Sequence, residues 1–294
     1  MASIIELLAE GVSVLRASDV EASRCDVEWL LAHVLGYSRL ALNLNRQKTV
    51  DLKTERQFRE LLLRRAKREP LQYILGKVDF CNVKLKVDAR VFIPRGETEM
   101  LVEWLVNNMS KRMGNATCKG ENFSPLNILD LGTGSGAIAI ALAKCFPMGC
   151  VLAVDRSPLA LEVARENMRY NGVNNLKLFQ SDWYGVFAGD QWSERFDLIV
   201  SNPPYLTFQE LNGAQDEVRR YEPISALVAE EDGLHDIRII LDGARKLLKK
   251  DGIVAVETGI AHPKQLQKEY EKYFRQTEIL RDLNQFDRFF IAYR

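Results

Sequence analysis

Two short stretches of the chain carry residue types suited to chemistry on an amide or amino group. The first is Asn202-Pro203-Pro204-Tyr205, which directly follows an apolar run. Two prolines stop strand pairing and helix formation, and each restricts the residue before it, so the Asn202 carboxamide and nearby carbonyl groups should project from a rigid turn. Beside the Tyr205 ring, these acceptors could hold a flat group that bears an NH2. A turn that only ends a strand fits equally well, because short motifs often match by chance.

A glycine-rich turn forms the second stretch, and it consists of Gly132, Thr133, Gly134, Ser135 and Gly136. Glycines let the backbone approach a ligand closely, and the helix that follows offers unpaired N–H groups at its first residues. Asp155 stands about 20 residues later, where a carboxylate can accept hydrogen bonds from both hydroxyls of a ribose. The pattern predicts a site for a nucleoside-containing cofactor, but the glycine spacing fits both NAD and S-adenosylmethionine.

Further residues favour S-adenosylmethionine over a nicotinamide cofactor. Asp182 and Trp183 follow the third predicted strand and supply a carboxylate and a flat indole where an adenine would lie. No residue stands out as an acid for hydride transfer, because the three histidines all fall in helical patterns typical of structural or surface groups. We therefore expect a sulfonium cofactor.

The elements that must position these residues alternate between strand and helix from residue 126 onward, as in an α/β protein with a parallel sheet. Strands are predicted at residues 127–131, 150–154, 176–179, 196–200, 253–257, 278–281 and 288–292. A short turn joins the last two, which should pair antiparallel. Open α/β sheets bind ligands at the carboxyl ends of parallel strands, so the loops after the first four strands should meet at one edge.

The sequence before this region predicts a separate helical domain. Residues 3–68 show helical apolar spacing and no strand, whereas residues 72–91 include an alternating pattern typical of a short strand pair. Residues 110–125 are polar and aperiodic, and we expect a surface loop there. We therefore divide the chain into a helical substrate-docking domain (1–70), a β-hairpin linker (71–92) and a cofactor-binding domain (93–294).

The charge balance argues against a surface built to coat nucleic acid. The chain has 294 residues, of which 40 are basic and 40 acidic. Residues 46–69 are locally basic, with nine basic and four acidic side chains. A solvated helix face is the favoured explanation, and a docking surface for RNA or an acidic protein is the alternative. We expect no stable nucleic-acid partner.

Other features of the composition indicate a cytoplasmic protein. The five cysteines form no CxxC pair and lie mostly in apolar runs, which predicts buried free thiols and no disulfide framework or metal site. The first residues lack the pattern of a secretory or transit peptide, and no apolar run is long enough to span a membrane.

The motifs together resemble those of class I S-adenosylmethionine-dependent methyltransferases, with a Rossmann-like, mostly parallel seven-stranded sheet and an antiparallel last strand. Additional segments resemble the HemK/PrmC group, the release-factor glutamine methyltransferases. These segments are Pro70 to Gly76, Ile93 to Glu99, Tyr221 to Pro223, Asp232 to Leu234 and Asp287-Arg288. The resemblance covers both predicted domains.

The resemblance implies methylation of the side-chain amide nitrogen (N5) of the glutamine in the Gly-Gly-Gln motif of peptide chain release factors. It carries the cofactor contacts to Asn202 as well as to the glycine turn, Asp155 and Trp183, and the substrate grip to residues 202–205. An amide nitrogen is a poor nucleophile, so catalysis must come mainly from positioning. We expect the Asn202 side-chain oxygen and the Pro203 carbonyl to accept the two N–H groups while Tyr205 packs on the amide plane.

Three alternatives stay open from the sequence. Asn-Pro-Pro-Tyr also occurs in enzymes that methylate exocyclic amines of bases in RNA or DNA, which present the same flat NH2 group. A glutamine of a ribosomal protein is a second possible target. The third alternative is a scaffold that binds the cofactor without turnover, which the intact Asn202 to Tyr205 stretch disfavours.

Overall fold

The computed structural model describes residues 1–117 and 125–294 of the chain. These residues form two compact units. The small unit comprises Met1–Lys77 and Gln215–Tyr221, and the large unit comprises Val78–Ala214 and Glu222–Arg294. The large unit thus begins inside the segment 71–92 that the sequence predicts as a linker hairpin.

Helices make up the first part of the small unit. They are α1 (Ile4–Ala17), α2 (Ser23–Leu35), α3 (Arg39–Leu44), α4 (Leu52–Ala66) and α5 (Leu71–Leu75). Helix α1 begins with a capping box in which Ser3 and Glu6 exchange hydrogen bonds, and α2 ends at Gly36 in the left-handed conformation. Leu7, Leu30 and Phe58 are fully buried between the helices. The predicted helical N-terminal part is confirmed.

The basic stretch 46–69 lies mainly on α4, and much of its charge is paired within the small unit. Arg59 bridges Glu10 at 2.8 Å, and Arg64 bridges Glu69 at 2.5 Å. Arg65 is buried and binds Asp26 at 2.7 Å. Most of these arginines therefore stabilise the helices, while the docking alternative stays a prediction.

Strands form a hairpin and one large sheet. They are β1 (Lys77–Phe80), β2 (Val83–Lys86), β3 (Asn127–Leu131), β4 (Cys150–Asp155), β5 (Leu176–Gln180), β6 (Phe196–Ser201), β7 (Leu248–Glu257), β8 (Gln276–Arg281) and β9 (Asp287–Tyr293). Strands β1 and β2 pair with each other, and the others form one seven-stranded sheet in the order β5-β4-β3-β6-β7-β9-β8. Strand β9 runs opposite to the other six strands of this sheet, so its pairings with β7 and β8 are both antiparallel. The predicted fold class and all seven strands are confirmed.

The remaining helices connect these strands. They are α6 (Gly96–Thr117), α7 (Ala137–Cys145), α8 (Pro158–Tyr170), α9 (Phe208–Gly213), α10 (Asp216–Tyr221), α11 (Glu230–Gly233), α12 (His235–Leu247) and α13 (His262–Tyr270), with short 3-10 turns at Gly185–Phe187, Asp190–Trp192 and Ile224–Ala226. Helix α10 belongs to the small unit, although its residues follow the Asn-Pro-Pro-Tyr stretch in sequence.

Helix α6 corrects one prediction, because the expected loop at 110–125 is helical through Thr117. Its polar residues Ser110 and Arg112 extend a helix whose buried side includes Leu105 and Met109, and no proline interrupts the chain before Pro125. Residues 118–124 of the predicted loop lie outside the described part of the chain.

The sheet is buried on both faces. Along β3 and β4, alternate side chains point to opposite faces, so Ile128 and Val151 lie in one apolar cluster while Leu129 and Leu152 lie in the other. Helices α6 and α7 contribute to the first cluster and α12 to the second. The polar turns at the strand ends are therefore held by a rigid core, and those after β3, β4, β5 and β6 lie side by side.

The cysteines correct a second prediction. Cys25, Cys81, Cys145 and Cys150 are free thiols, as expected, but each is partly exposed and not fully buried. Cys118 lies outside the described residues. Within residues 1–117 and 125–294, no group of three or more His, Cys, Asp or Glu side chains could hold a metal ion. No helix in the same ranges has the length and apolar character needed to cross a membrane.

Candidate active site

The glycine turn between β3 and α7 has the backbone of a ligand-binding loop. Gly132, Gly134 and Gly136 have φ angles of +70°, +55° and +83°, which side-chain-bearing residues rarely adopt. A Cβ on Gly136 would lie 2.9 Å from Ile140 Cδ1, whereas a Cβ on Gly134 would meet no atom within 4 Å. The turn is thus packed against its own helix at Gly136 and open at Gly134, where a ligand could approach.

Asp155 stands at the end of β4 and is locked to this turn. Its Oδ2 accepts a hydrogen bond from the Gly134 N–H at 2.8 Å, and its Oδ1 accepts one from the Ser157 N–H at 2.8 Å. Burial raises the pKa of this carboxyl group, against the lowering effect of those two N–H groups. Each oxygen keeps acceptor capacity, so the oriented carboxylate can bind two hydroxyls.

A second carboxyl group under the turn, Asp130, is fully buried. Its Oδ2 accepts hydrogen bonds from Thr133 Oγ1 at 2.7 Å and from the Ala139 N–H at 3.2 Å. Its Oδ1 has no hydrogen-bond partner among the described residues. Burial raises the pKa of Asp130 to about 7. An unsatisfied buried acceptor is costly, so a ligand that brings a cationic donor fits this position.

The indole of Trp183 lies beside the same turn. A Cβ built on Gly132 would sit 3.4 Å from the Trp183 ring, so the indole packs closely beside this part of the backbone. The indole N–H donates to Asp236 Oδ1 on α12 at 3.1 Å, which fixes the ring. Asp182 is exposed next to it. A flat aromatic surface that can cover an adenine therefore lies next to the turn.

The Asn202 carboxamide begins a chain of hydrogen bonds at the end of β6. Its NH2 donates to Thr98 Oγ1 at 3.0 Å, and the Thr98 hydroxyl donates to Glu257 Oε2 at 2.6 Å. The Tyr205 hydroxyl donates to the other oxygen, Glu257 Oε1, at 3.3 Å. One N–H of the Asn202 NH2 is thus occupied, and this orientation leaves the Asn202 Oδ1 as an acceptor.

Glu257 at the centre of this chain is almost completely buried, with 1% of its surface exposed. Burial raises its pKa to about 7, although the hydrogen bond from Thr98 and the charge of Arg288 oppose this rise. Burial also raises the pKa of Tyr205, so the phenol stays protonated and acts as a donor.

The backbone around Asn202 is held from two sides. The Ser201 hydroxyl donates to the Leu131 carbonyl at 2.7 Å, which ties the end of β6 to the end of β3. The Tyr205 N–H donates to the Leu227 carbonyl at 3.2 Å. Pro203 is buried and Pro204 is half-buried between these anchors. The turn is therefore rigid, as the two prolines predict.

All the predicted site residues lie in the large unit, with Asp155 as the last residue of β4 and the others on the loops that follow β3, β5 and β6. Four further residues were not singled out from the sequence as site residues: Thr98, Asp130, Asp236 and Glu257. Two had a usable signal, since Asp130 and Glu257 are acidic residues within apolar strands, where burial of a charge usually has a reason. Asp236 lies in an ordinary amphipathic helix and gave no signal.

Known protein families match both the helical N-terminal part and the sheet-containing part of the chain. The family model described as the PrmC N-terminal domain matches residues 6–76, and one described as a methyltransferase domain matches residues 122–290. The catalytic domain of hMettl16 bound to a MAT2A 3′UTR hairpin has a similar fold, with a TM-score of 0.55 at 16% identity over 79% of this chain and 81% of that one.

Relatives with curated names are much more similar in sequence. A release factor glutamine methyltransferase from Geobacter sulfurreducens is 41% identical, over 84% of this chain and 80% of the relative. One from Chlorobaculum tepidum is 36% identical, over 97% of this chain and 95% of the relative. Another, from Escherichia coli K12, is 37% identical, over 86% of this chain and 84% of the relative. With a methyltransferase domain over more than half its length and relatives above 30% identity over most of both chains, the chain belongs to the release factor glutamine methyltransferase family.

Proposed function

We propose that this protein transfers the methyl group of S-adenosylmethionine to the side-chain amide nitrogen (N5) of the glutamine in the Gly-Gly-Gln motif of peptide chain release factors. The observation that carries the proposal is the hydrogen bond from the Asn202 NH2 to Thr98 at 3.0 Å. It leaves the Asn202 oxygen as an acceptor beside the cofactor turn, and a glutamine amide offers the matching N–H donors. Modification of this glutamine would modulate translation termination.

The residues around the glycine turn fit S-adenosylmethionine. Residues 132–136 are the open backbone against which the cofactor would lie, and Asp155 would accept the ribose hydroxyls. Trp183 would cover the adenine, with Asp182 and Asn202 as further contacts. The unpaired Oδ1 of buried Asp130 suits the ammonium group of the methionine part, which supports this cofactor over one that lacks a cation.

The cofactor, when bound, supplies an electrophilic methyl group. The protein's task is to hold the amide nitrogen in line with it, at a near-attack distance of about 3 Å. Asn202 Oδ1 and the Pro203 carbonyl accept the two N–H groups of the substrate, while Pro204 and Tyr205 border its amide plane. Acceptors aimed at both N–H groups stabilise the positive charge that develops on nitrogen. The described site offers no general base, so the proton leaves to water after transfer.

The expected partner is a release factor, as the names of the relatives indicate. We assign its docking to the helices of residues 1–70, and we expect no stable nucleic-acid partner. Release factors act with the ribosome, so we place the protein in the cytoplasm. Loss of residues before Pro70 should spare cofactor binding and abolish methylation, whereas unchanged methylation would exclude a docking role for these helices.

The proposal is tested by incubating the full chain with methyl-labelled S-adenosylmethionine and a purified release factor. A matched substrate carries glutamate in place of the motif glutamine, since a carboxylate has no N–H to offer. We expect label in the first substrate and none in the second. Equal labelling of both would show that another residue is the target.

The other candidate targets serve as parallel reactions. Ribosomal protein, RNA treated with RNase and RNA without treatment are incubated under the same conditions. Label that appears only in one of these would replace the release factor as substrate. Cofactor binding without label in any substrate would support a non-catalytic scaffold.

A further inference from the structure

We infer that Thr98 and Glu257 are positioning residues that fix the orientation of the Asn202 carboxamide, and that turnover requires Glu257 in its ionised form. The inference rests on the proposed function, in which the Asn202 oxygen accepts an N–H group from the substrate glutamine. Neither residue needs to touch the substrate or the cofactor. Both act through Asn202, the residue at the end of the hydrogen-bond chain.

The donor and acceptor in each hydrogen bond between Asn202, Thr98 and Glu257 follow from the number of protons available. An ionised carboxylate can only accept, so Glu257 takes the single proton of the Thr98 hydroxyl at 2.6 Å. Thr98 Oγ1 then has only lone pairs to offer, and its neighbour at 3.0 Å must be the NH2 end of the Asn202 amide. The Asn202 oxygen is thereby left for the substrate. The charge on Glu257 thus determines whether the oxygen or the NH2 of the Asn202 carboxamide, two hydrogen bonds away, is available to the substrate.

The groups around Glu257 leave it close to the balance between its two forms. Thr98 at the start of α6 and Tyr205 after β6 donate to it, and both are neutral. Two charged groups act from further away, with Arg288 favouring the ionised form and Glu97 opposing it. The Arg288 guanidinium is held by the Thr258 carbonyl at 3.2 Å and lies 3.5 Å from Asp282.

Burial dominates this balance, and the pKa of Glu257 is raised to about 7. A protonated Glu257 becomes a donor and no longer requires the Thr98 proton. Thr98 can then donate to the Asn202 oxygen, and the amide turns its NH2 toward the substrate. Two donors would then face each other where a donor and an acceptor are needed, so this form is unproductive.

Three variants test the inference by steady-state kinetics on a release factor. Thr98→Val removes the hydroxyl at nearly constant shape and should lower kcat about 100-fold, the scale of a small misplacement of a reacting group. The KM for release factor and the affinity for S-adenosylmethionine should change only a few-fold. Thr98→Ser restores the hydroxyl and should recover most of kcat. Equal losses in both variants, or unchanged kcat in Thr98→Val, would overturn the inference.

Glu257→Gln tests the pH dependence, because it keeps the shape but cannot titrate. The wild-type kcat should rise with pH through about 7, and this rise should be absent from Glu257→Gln. Asp130, whose pKa burial also raises to about 7, borders the cofactor turn, so its titration should change cofactor affinity and remain in both proteins. A rise in kcat that persists in Glu257→Gln would overturn the requirement for its ionisation.

Thermal unfolding of each variant separates misfolding from misplacement. If Thr98→Val unfolds near the assay temperature, the pH profiles of kcat for the wild type and Glu257→Gln decide whether the inference holds. Failure of the wild type to methylate any release factor would reject the proposed function itself. Methylation by the wild type with no difference between Thr98→Val and Thr98→Ser would reject only the positioning role.

Discussion

Two pairs of carboxyl groups that are largely shielded from solvent, one pair in each unit of the molecule, are satisfied in opposite ways. In the small unit, Asp26 and Glu217 share the Arg65 guanidinium, each at 2.7 Å, and Arg68 adds a contact to Glu217 at 2.6 Å. In the large unit, the partners of Asp130 and Glu257 within hydrogen-bond distance are hydroxyl and backbone N–H groups.

This difference separates a structural cluster from a functional one. Burial raises the pKa of Asp26 and opposes the effect of Arg65, but in Glu217 the hydrogen bonds from Arg68 and Arg65 outweigh burial and lower the pKa. Burial raises the pKa of both Asp130 and Glu257 to about 7. Paired charges hold helices together, whereas unpaired carboxyl groups at a strand end cost stability and are typical of sites that bind or react.

Removal of the shared cation in the small unit should have the largest effect on folding. Arg65→Met leaves Asp26 without its cation and Glu217 with Arg68 alone, and it should lower the free energy of unfolding by about 3–5 kcal/mol. Urea unfolding measures this loss. Arg56→Met, at an exposed position of the same helix, is the control and should change stability by less than about 0.5 kcal/mol. Similar values for the two variants would contradict a structural role for the cluster.

In the large unit, the largest expected effect is on turnover. Asn202→Ala removes the proposed acceptor for the substrate N–H and should lower kcat by about 10²–10³-fold, with cofactor affinity changed only a few-fold. Isothermal titration with S-adenosylmethionine and initial rates on a release factor separate the two quantities. Asn174→Ala, in the exposed turn after α8, is the control and should match the wild type. Equal losses of turnover and cofactor affinity in Asn202→Ala would refute this role.

The free energy of unfolding should also reveal the unpaired charge of Glu257. Its pKa is raised from 4.5 to about 7 in the folded protein, so the folded state favours the protonated form. The stability that this group contributes is full below pH 4.5 and is lost as pH rises to about 7. Glu257→Gln does not show this loss. The free energy of unfolding of the variant, relative to that of the wild type, should therefore increase by up to about 3 kcal/mol between about pH 4.5 and about pH 8.

Urea unfolding of both proteins across this pH range measures the difference. A constant difference would show that Glu257 does not titrate on unfolding in this window, and the contrast between the two units would then fail.

The smallest expected effect concerns the indole beside the glycine turn. Trp183→Phe keeps a flat ring but removes the N–H that donates to Asp236, a bond worth about 1.5–3 kcal/mol when the acceptor carries a charge. The affinity for S-adenosylmethionine should therefore fall by about 10- to 150-fold at most. Trp192→Phe, whose indole packs on Phe187 away from the turn, is the control and should leave cofactor affinity unchanged. Equal affinities of the two variants would contradict a role for the indole.

Local patterns sufficed to predict the strands, the glycine turn and the Asn-Pro-Pro-Tyr turn. Apolar runs set the strands, and the glycines and prolines restrict the backbone without help from distant residues. The hydrogen-bond chain could not be predicted in the same way, because Thr98 lies 104 residues from Asn202 and 159 from Glu257. Such contacts depend on the order of strands in the sheet and on the start of α6, which no local pattern specifies.

The ends of elements in polar sequence were also hard to predict. Helix α6 continues to Thr117 because the polar residues after Met109 can form a solvated helical turn as readily as a loop. Neither the partial exposure of the cysteines nor the pairing of the arginines on α4 can be deduced from composition, since both depend on which helix face meets a neighbour.

Fragment-ion mass spectrometry of a release factor after incubation with this protein and S-adenosylmethionine tests the central claim most directly. We predict a gain of one methyl group on the side chain of the Gly-Gly-Gln glutamine with the wild type, and a much slower gain at the same site with Asn202→Ala. A methyl group on any other residue, or an equal rate with Asn202→Ala, would contradict the account.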